Sequence, residues 1–406
     1  MTTQATPATT PHPALSPALG LTLGPIGAGA FLAEYWERQP LVIERGGEPR
    51  FHELLAPADV ERLLCETGIR VPAFRLVKEG AQLPLSTYTE DIPWRPGSFS
   101  GTPVVERVAE EFAQGATLVL QALHLYWPAA ALYCRELEKW LGCPVQANAY
   151  QTPAAARGFA VHHDTHDVFI LQIAGRKRWR VYEPVLELPL SGQRWSPQLG
   201  DLGEAVRDFT LEAGDTLYLP RGWPHEATTS EDESLHLTVG MHPPTRLDAL
   251  RAALQSSAED DVEFRRSLTA DGMMPEKSLE RLASRLTPNE LARRVRRRFV
   301  ATRRPILHDQ LAQVRALDRL TAADPLERRA TVICELEQTQ DGALLLFEGK
   351  ELSFPAQATA AVAAAVESEG TFTAADLPGS LDEAGRLVLV RRLVREGFLR
   401  LTGVPG

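Results

Sequence analysis

The stretch VHHDTHDVFIL, residues 161–171, decides how this chain is read. If it runs as a strand, residues i and i+2 project to one face while i+1 points away, so His162 and Asp164 share a face that His163 cannot join. A second stretch, GDTLYLPRGWPHEA over residues 214–227, brings His225 in behind a strand-like TLYL and a Pro-Arg-Gly-Trp-Pro turn that holds it rigidly. Two imidazoles and one carboxylate fill half of an octahedral metal and leave the rest open to small molecules, the donor set of non-haem Fe(II) oxygenases. His162 and His166 also stand four apart, as in the helical zinc motif. No Glu follows His162, however, and the flank VFILQI reads as strand.

A lone His-x-Asp carries little, because such triplets arise by chance and are usually polar turns. Clustering strengthens it: of ten histidines, His162, His163, His166, His225, His236 and His242 all fall in one strand-rich third of the chain. His12, His52, His124 and His308 read as surface or satisfied core histidines, and His163, His166 and His242 as supporting or surface groups.

Around these residues, from Val145 to Met241, the short runs VQANAYQT, VFILQI, KRWRVY, DFTLE, TLYL and SLHLTVGM are separated by Gly, Pro and Asp turns. That spacing points to an antiparallel barrel or sandwich. Residues 21–145 alternate helical and short strand-like pieces, such as AFLAEYWERQ, PADVERLLCETG and the stretch Val105–Gly115. Beyond Pro243-Pro244, DALRAALQSSAEDDVEFRRSL and SLERLASRLTPNELARRVRRRFVATRR carry apolar residues at helical spacing. In the last ninety residues, LLLFEGKELSFP reads as a hairpin, AQATAAVAAAVES, FTAADL and LDEAGRLVLVRRLVREG as helices, and FLRL as a closing strand.

The block HHDTHDVFILQIAGRKRWRVYEP, then GDTLYLPRGWPHEA and SLHLTVGMHPPTR, with FLAEYWERQPLVI (Phe31–Ile43) ahead of them, resembles the JmjC-type ribosomal oxygenases. These are cupin-fold enzymes dependent on Fe(II) and 2-oxoglutarate that hydroxylate ribosomal-protein side chains. Behind a Thr/Pro/Ala-rich stretch over 1–20 that reads as a flexible tail, the resemblance implies an α+β chain: a double-stranded β-helix oxygenase domain over 21–245, a helical dimerisation region over 246–318 and a winged-helix-like domain over 319–406. It implies that His162, Asp164 and His225 bind iron and that Lys177 grips the distal carboxylate of 2-oxoglutarate, with O2 as co-reactant. Arg176 or Arg178 is the alternative for that grip, although strand alternation turns both away from the face of Lys177. Asn148 matches a family asparagine near the cosubstrate, and Tyr150, Thr238 and His236 are weaker candidates on neighbouring strands. Gly240 stands where eukaryotic relatives tend to carry serine, as on the bacterial branch, and His236 departs from some bacterial relatives. Expected partners are a basic protein, of the ribosomal kind and modified at Arg or His, and a second copy of the chain. Readings kept open beside this are the same chemistry on another peptide or small molecule, and a metal-sensing cupin without turnover.

Composition fits a globular chain of two or three domains: 406 residues, 44% hydrophobic. No run approaches a membrane span, and the Thr/Pro/Ala-rich start, whose first basic residue is Arg38, lacks the charged opening of a signal peptide. Cys65, Cys134, Cys143 and Cys334 form no CxxC pair and read as free thiols of a cytoplasmic protein. A net charge of −10 disfavours general nucleic-acid binding and suits a basic peptide partner. The run Arg293, Arg294, Arg296, Arg297 and Arg298 reads first as a solvated helix face laced with salt bridges, since no interleaved aromatics support RNA stacking.

Overall fold

The run DVFILQIA forms a strand, Asp167–Ala174, in which every residue but the last is buried. A strand covered on both faces has no wet side to alternate with, so it reads as a nearly unbroken apolar sequence. The computed structural model describes residues 17–156, 159–229, 231–268 and 270–404 and divides into two units, 1–243 and 244–406. In chain order the strands of the first unit are β1 Leu41–Ile43, β2 Phe74–Lys78, β3 Ala81–Gln82, β4 Thr89–Trp94, β5 Gly97–Pro103, β6 Thr117–Leu120 and β7 Val145–Thr152. They continue with β8 Asp167–Ala174, β9 Lys177–Val181, β10 Arg207–Leu211, β11 Thr216–Leu219, β12 His225–Thr228 and β13 Ser234–Met241.

Eight of these make one antiparallel sheet in the order β1-β11-β8-β13-β7-β6-β2-β3, and β10-β9-β12 make a second. Alternation along β8 serves both sides of the large sheet. Val168 and Ile170 pack with Trp179, Val181 and Leu211 of the small sheet, while Phe169 and Leu171 join the main core with Phe31 and Tyr218. This is the antiparallel two-sheet arrangement expected from the strand spacing, in the cupin layout that the resemblance implies, with a cavity between the sheets.

Three local readings change. His162 and Asp164 do not lie on a strand: they occupy irregular chain ahead of β8, tied to β12 by a single antiparallel bridge between His162 and His225. One ladder rung here, rather than strand alternation, sets the spacing of the pair. AFLAEYWERQ is helical only over Ala28–Glu34. The tail expected over 1–20 lies outside the described residues as far as 16, and from Pro17 the chain is a helix to Leu23 whose Leu19 and Leu23 are fully buried.

In the second unit, helix Arg246–Asp260 begins at a capping box of Thr245 and Asp248. Helices Glu276–Ala283 and Pro288–Thr302 are separated at Pro288, which starts the latter behind a Thr287 cap. The arginine run is largely paired within this unit: Arg293 and Arg294 with Glu290, and Arg297 with Glu337 and Glu351. A three-stranded sheet (334–339, 342–347, 350–355), helices Thr359–Glu367 and Glu383–Arg395 and a closing strand Leu399–Leu401 share one core.

Candidate metal centre

His162 and His225 are held side by side by their own backbones. The His225 N–H donates to the His162 carbonyl at 2.8 Å and the His162 N–H returns the bond at 3.1 Å, bringing the rings to 4.6 Å between centroids. Each ring is then aimed by its Nδ1, which lies 2.8 Å from the Ala160 carbonyl in His162 and 3.0 Å from the Trp223 carbonyl in His225. A carbonyl can only accept, so each Nδ1 carries the hydrogen and each Nε2 presents a lone pair, the tautomer a metal ligand requires. Asp164 completes the group. Its Oδ2 lies 3.8 Å from His225 Nε2, and one donor atom from each of the three residues falls within 4.8 Å of the others.

The electrostatics suit a cation. Burial pushes the Asp164 carboxyl upward, but the surrounding histidines, His225 foremost, outweigh it and hold the group below the usual range. Burial, then the neighbouring His162, pushes His225 down to about 4, so both stay in ligating form at neutral pH. A carboxylate and two imidazoles whose Nε2 atoms point inward fit a divalent transition metal, and the donor set selects nitrogen- and oxygen-binding ions.

A cleft of about 680 Å³, open mouth included, runs inward from the trio. Lys177 lies in it, 4% exposed, its Nζ donating to Thr152 Oγ1 at 2.9 Å. Among the described residues no carboxylate pairs with it, and burial pushes its pKa down to about 7. Arg176 and Arg178 turn outward to exposed pairs with Asp232 and Asp208. Asn148 and Thr238 sit opposite each other on β7 and β13. The Asn148 Oδ1 accepts from the Ala122 N–H at 2.9 Å, which leaves its amide hydrogens to the cavity. Tyr150 stacks on His236 at 5.0 Å and 7°. Burial and Asp164 push the Tyr150 phenol up to about 12, while burial and Lys177 press His236 well below its ordinary value. The His236 Nδ1 and Trp179 Nε1 are both buried without a partner.

All eight residues singled out from the sequence therefore line one cavity. Sequence reasoning passed over Trp179 and Phe159, and named His166 and His242 as supporting or surface groups without seeing that they pair. Trp179 was legible, since two residues past Lys177 on the same strand it must face the same way. Phe159 sits in irregular chain and His242 beyond a strand end, where no periodicity speaks. His166 stacks on His242 at 4.5 Å and also explains Gly240: a Cβ there would lie 2.7 Å from its imidazole. Gly240→Ala should accordingly lower stability by about 1–3 kcal/mol, the usual range for overpacking, read as a fall in the denaturation midpoint.

Comparison with known proteins agrees with this architecture. Residues 125–249 match the JmjC domain. Ribosomal oxygenase 1 of Gallus gallus is 31% identical over 257 residues, which are 61% of this chain and 41% of the relative. The bifunctional lysine-specific demethylase and histidyl-hydroxylase NO66 of Drosophila persimilis is 28% identical over 259 residues, 62% of this chain and 36% of the relative. This chain thus spans less than half the length of either. Among solved structures, the Escherichia coli ribosomal oxygenase YcfD in complex with cobalt and 2-oxoglutarate superposes over 93% of this chain and 99% of its own, at a TM-score of 0.54 and 19% identity. The chain is a JmjC-domain protein of the cupin fold. The relatives and solved structures it resembles are ribosomal oxygenases and a histidyl-hydroxylase.

Proposed function

We propose that this chain is an Fe(II)- and 2-oxoglutarate-dependent dioxygenase that hydroxylates an arginine or histidine side chain of a ribosomal protein. One observation carries the reading: two Nε2 lone pairs and a carboxylate converge at one end of a cleft that buries an unpaired lysine. A metal trio alone would fit many hydrolases and sensors; a separate buried cation without an anion of its own calls for a ligand with a second, distal carboxylate. YcfD has been solved with cobalt and 2-oxoglutarate, and with cobalt and succinate, a pairing that supports the same cosubstrate here.

Bound Fe(II) and 2-oxoglutarate supply the activation of O2, coupled to decarboxylation of the oxo-acid, that inserts oxygen into a substrate C–H bond. The chain supplies position. His162, Asp164 and His225 would hold the metal, Lys177 with Thr152 would hold the far carboxylate, and the Asn148 amide, Tyr150, Thr238 and His236 would line the ground between. Val168, Ile170 and Trp179 wall the inner end with apolar surface and keep it dry. No side chain is asked to act as acid, base or nucleophile.

Charge supports a basic protein as substrate. Residues 1–243 hold 29 acidic against 19 basic side chains, while 244–406 hold 24 of each, so the whole net charge of −10 belongs to the unit with the cavity. We extend the proposal to the rest of the chain: a helical dimerisation region over 246–318, supported by exposed Leu250, Leu254, Met273 and Leu279, and a winged-helix-like domain over 319–406, supported by its helix and strand order. No described helix is long and apolar enough to cross a membrane. None of the four cysteines is in a disulfide among the described residues, which supports a cytoplasmic setting.

The deciding experiment incubates purified chain with Fe(II), 2-oxoglutarate and ribosomal proteins, then follows succinate release and a single added oxygen by mass spectrometry. Succinate without a modified ribosomal protein would sink the substrate; neither product would sink the enzyme. A second expected result concerns protons. With Lys177 held near pKa 7 when alone, dicarboxylate binding must restore its charge at higher pH, so binding at pH 8.5 takes up close to one proton and at pH 5.5 almost none. Calorimetry in two buffers of different ionisation enthalpy measures that number directly.

A further inference from the structure

No residue of the early block FLAEYWERQPLVI lines the cavity, yet the block packs against the strand and turn that deliver His225. Phe31 is fully buried, its ring 4.8 Å edge-on from Tyr218 and 5.4 Å from Phe169. Trp36 stacks on Tyr218 at 6.0 Å, and β1 pairs with β11 in the register Leu41 to Tyr218 and Ile43 to Thr216. Between these contacts the chain turns at Glu37 with φ 56, a left-handed conformation that a non-glycine residue adopts only when its surroundings hold it there.

That turn places Glu37 on a charge cluster behind the metal centre. Its carboxylate pairs with the Arg221 guanidinium, and its N–H donates to the Tyr218 hydroxyl at 2.9 Å. Tyr218 passes its own hydrogen to Asp167 Oδ1 at 3.0 Å. Arg221 Nη1 reaches Asp167 Oδ2 at 3.0 Å, and the Arg221 N–H reaches Oδ1 at 3.3 Å. Asp167 is fully buried and Arg221 8% exposed, while the partly exposed Glu37 reaches the same guanidinium from the solvent side. From Arg221 the next N–H, that of Gly222, donates to the Asp164 carbonyl at 3.0 Å, and the next carbonyl, that of Trp223, orients His225. One turn thereby touches two of the three ligand residues, and the Glu37 cluster anchors that turn.

We propose that Glu37 is a positioning residue for the metal centre, acting through Arg221 to hold the turn that carries His225 against the segment that carries Asp164. The proposal rests on the reading of His162, Asp164 and His225 as metal ligands. A purely structural role would show in stability alone. The Glu37 side chain is 34% exposed, and a half-wet ion pair adds little to folding. Groups that orient first ligands, by contrast, typically change metal affinity 10–100-fold.

The test uses the full chain, metal-free, titrated with Co(II) and followed by visible absorption, with thermal unfolding measured alongside. Glu37→Gln should weaken Co(II) binding about tenfold while the unfolding midpoint moves by no more than about 2 °C. Arg221→Lys keeps the charge but, with a shorter reach, loses the Nη1 that meets both carboxylates, and should weaken binding at least as much. If Glu37 works through Arg221, the double variant binds no worse than Arg221→Lys alone; losses that multiply would overturn the route. Leu63→Ala, which destabilises the main core from helix Pro57–Glu66, is the control: an equal loss of Co(II) affinity there would reduce the Glu37 effect to stability. Normal wild-type binding with an unaffected Glu37→Gln overturns this role alone. Failure of the wild type to bind Co(II) overturns the metal reading and the role with it.

Discussion

Asp164→Ala should abolish Co(II) and Fe(II) binding and, with it, succinate release, a loss of about a thousandfold or more. That factor corresponds to the several kcal/mol a positioned metal contributes, at roughly 1.4 kcal/mol per tenfold. The side chain is the sole negative donor of the trio, and without it two neutral imidazoles face a divalent cation. Folding should survive, because the Asp164 carboxylate, 28% exposed, lies 3.8 Å from His225 Nε2, beyond hydrogen-bond reach. The metal-free denaturation midpoint is therefore expected within about 1 kcal/mol of wild type. Retained metal affinity in this variant would remove the basis of the functional reading.

Lys177→Met is expected to move function and stability in opposite directions. Dicarboxylate binding should weaken by roughly a hundredfold, since losing one partner of a buried charge pair costs about 2–5 kcal/mol. Co(II) affinity should stay near wild type, because Lys177 supplies none of the three metal donors. The metal-free protein should become more stable, on the order of 2 kcal/mol, because a 4%-exposed ammonium with one hydroxyl partner gives way to an apolar chain of similar length. The sign of its pH dependence follows. Unfolded lysine keeps its proton to pH 10.5, whereas folded Lys177 keeps it only to about 7. Between those values the unfolded state binds more protons, so wild-type stability gains with rising pH and Lys177→Met lacks that gain. Chemical denaturation at pH 6.5 and 9 measures the difference. Equal slopes would show that Lys177 is not the buried, depressed base described here. Such a residue, costly to the fold and useful only with a ligand, marks a site where stability has been traded for binding.

Several features could be read from the chain because local rules govern them. Lys177 faces inward and Arg176 and Arg178 outward through two-residue alternation on β9. β8 announced itself as an apolar run because it is covered on both faces. The donor types at His162, Asp164 and His225 named the chemistry before any coordinates, since two imidazoles with one carboxylate suit few ions. By themselves those residues could not say how they meet. The expected strand geometry for His162 and Asp164 gave way to irregular chain, because one rung to β12 and two backbone carbonyls, at Ala160 and Trp223, orient the rings instead. Glu37 and Arg221 stand 184 residues apart in sequence, and no period links them.

The sequence determined which side chains are available and which way each points along its own strand, because those follow from residue chemistry and the pleat. Tertiary structure alone decided that a bend at Glu37 and a turn at Arg221 back the candidate metal centre while a lysine on the small sheet faces its cavity. Contacts between distant segments arise from packing two sheets and their connections together, and that information is held in no single stretch of the chain.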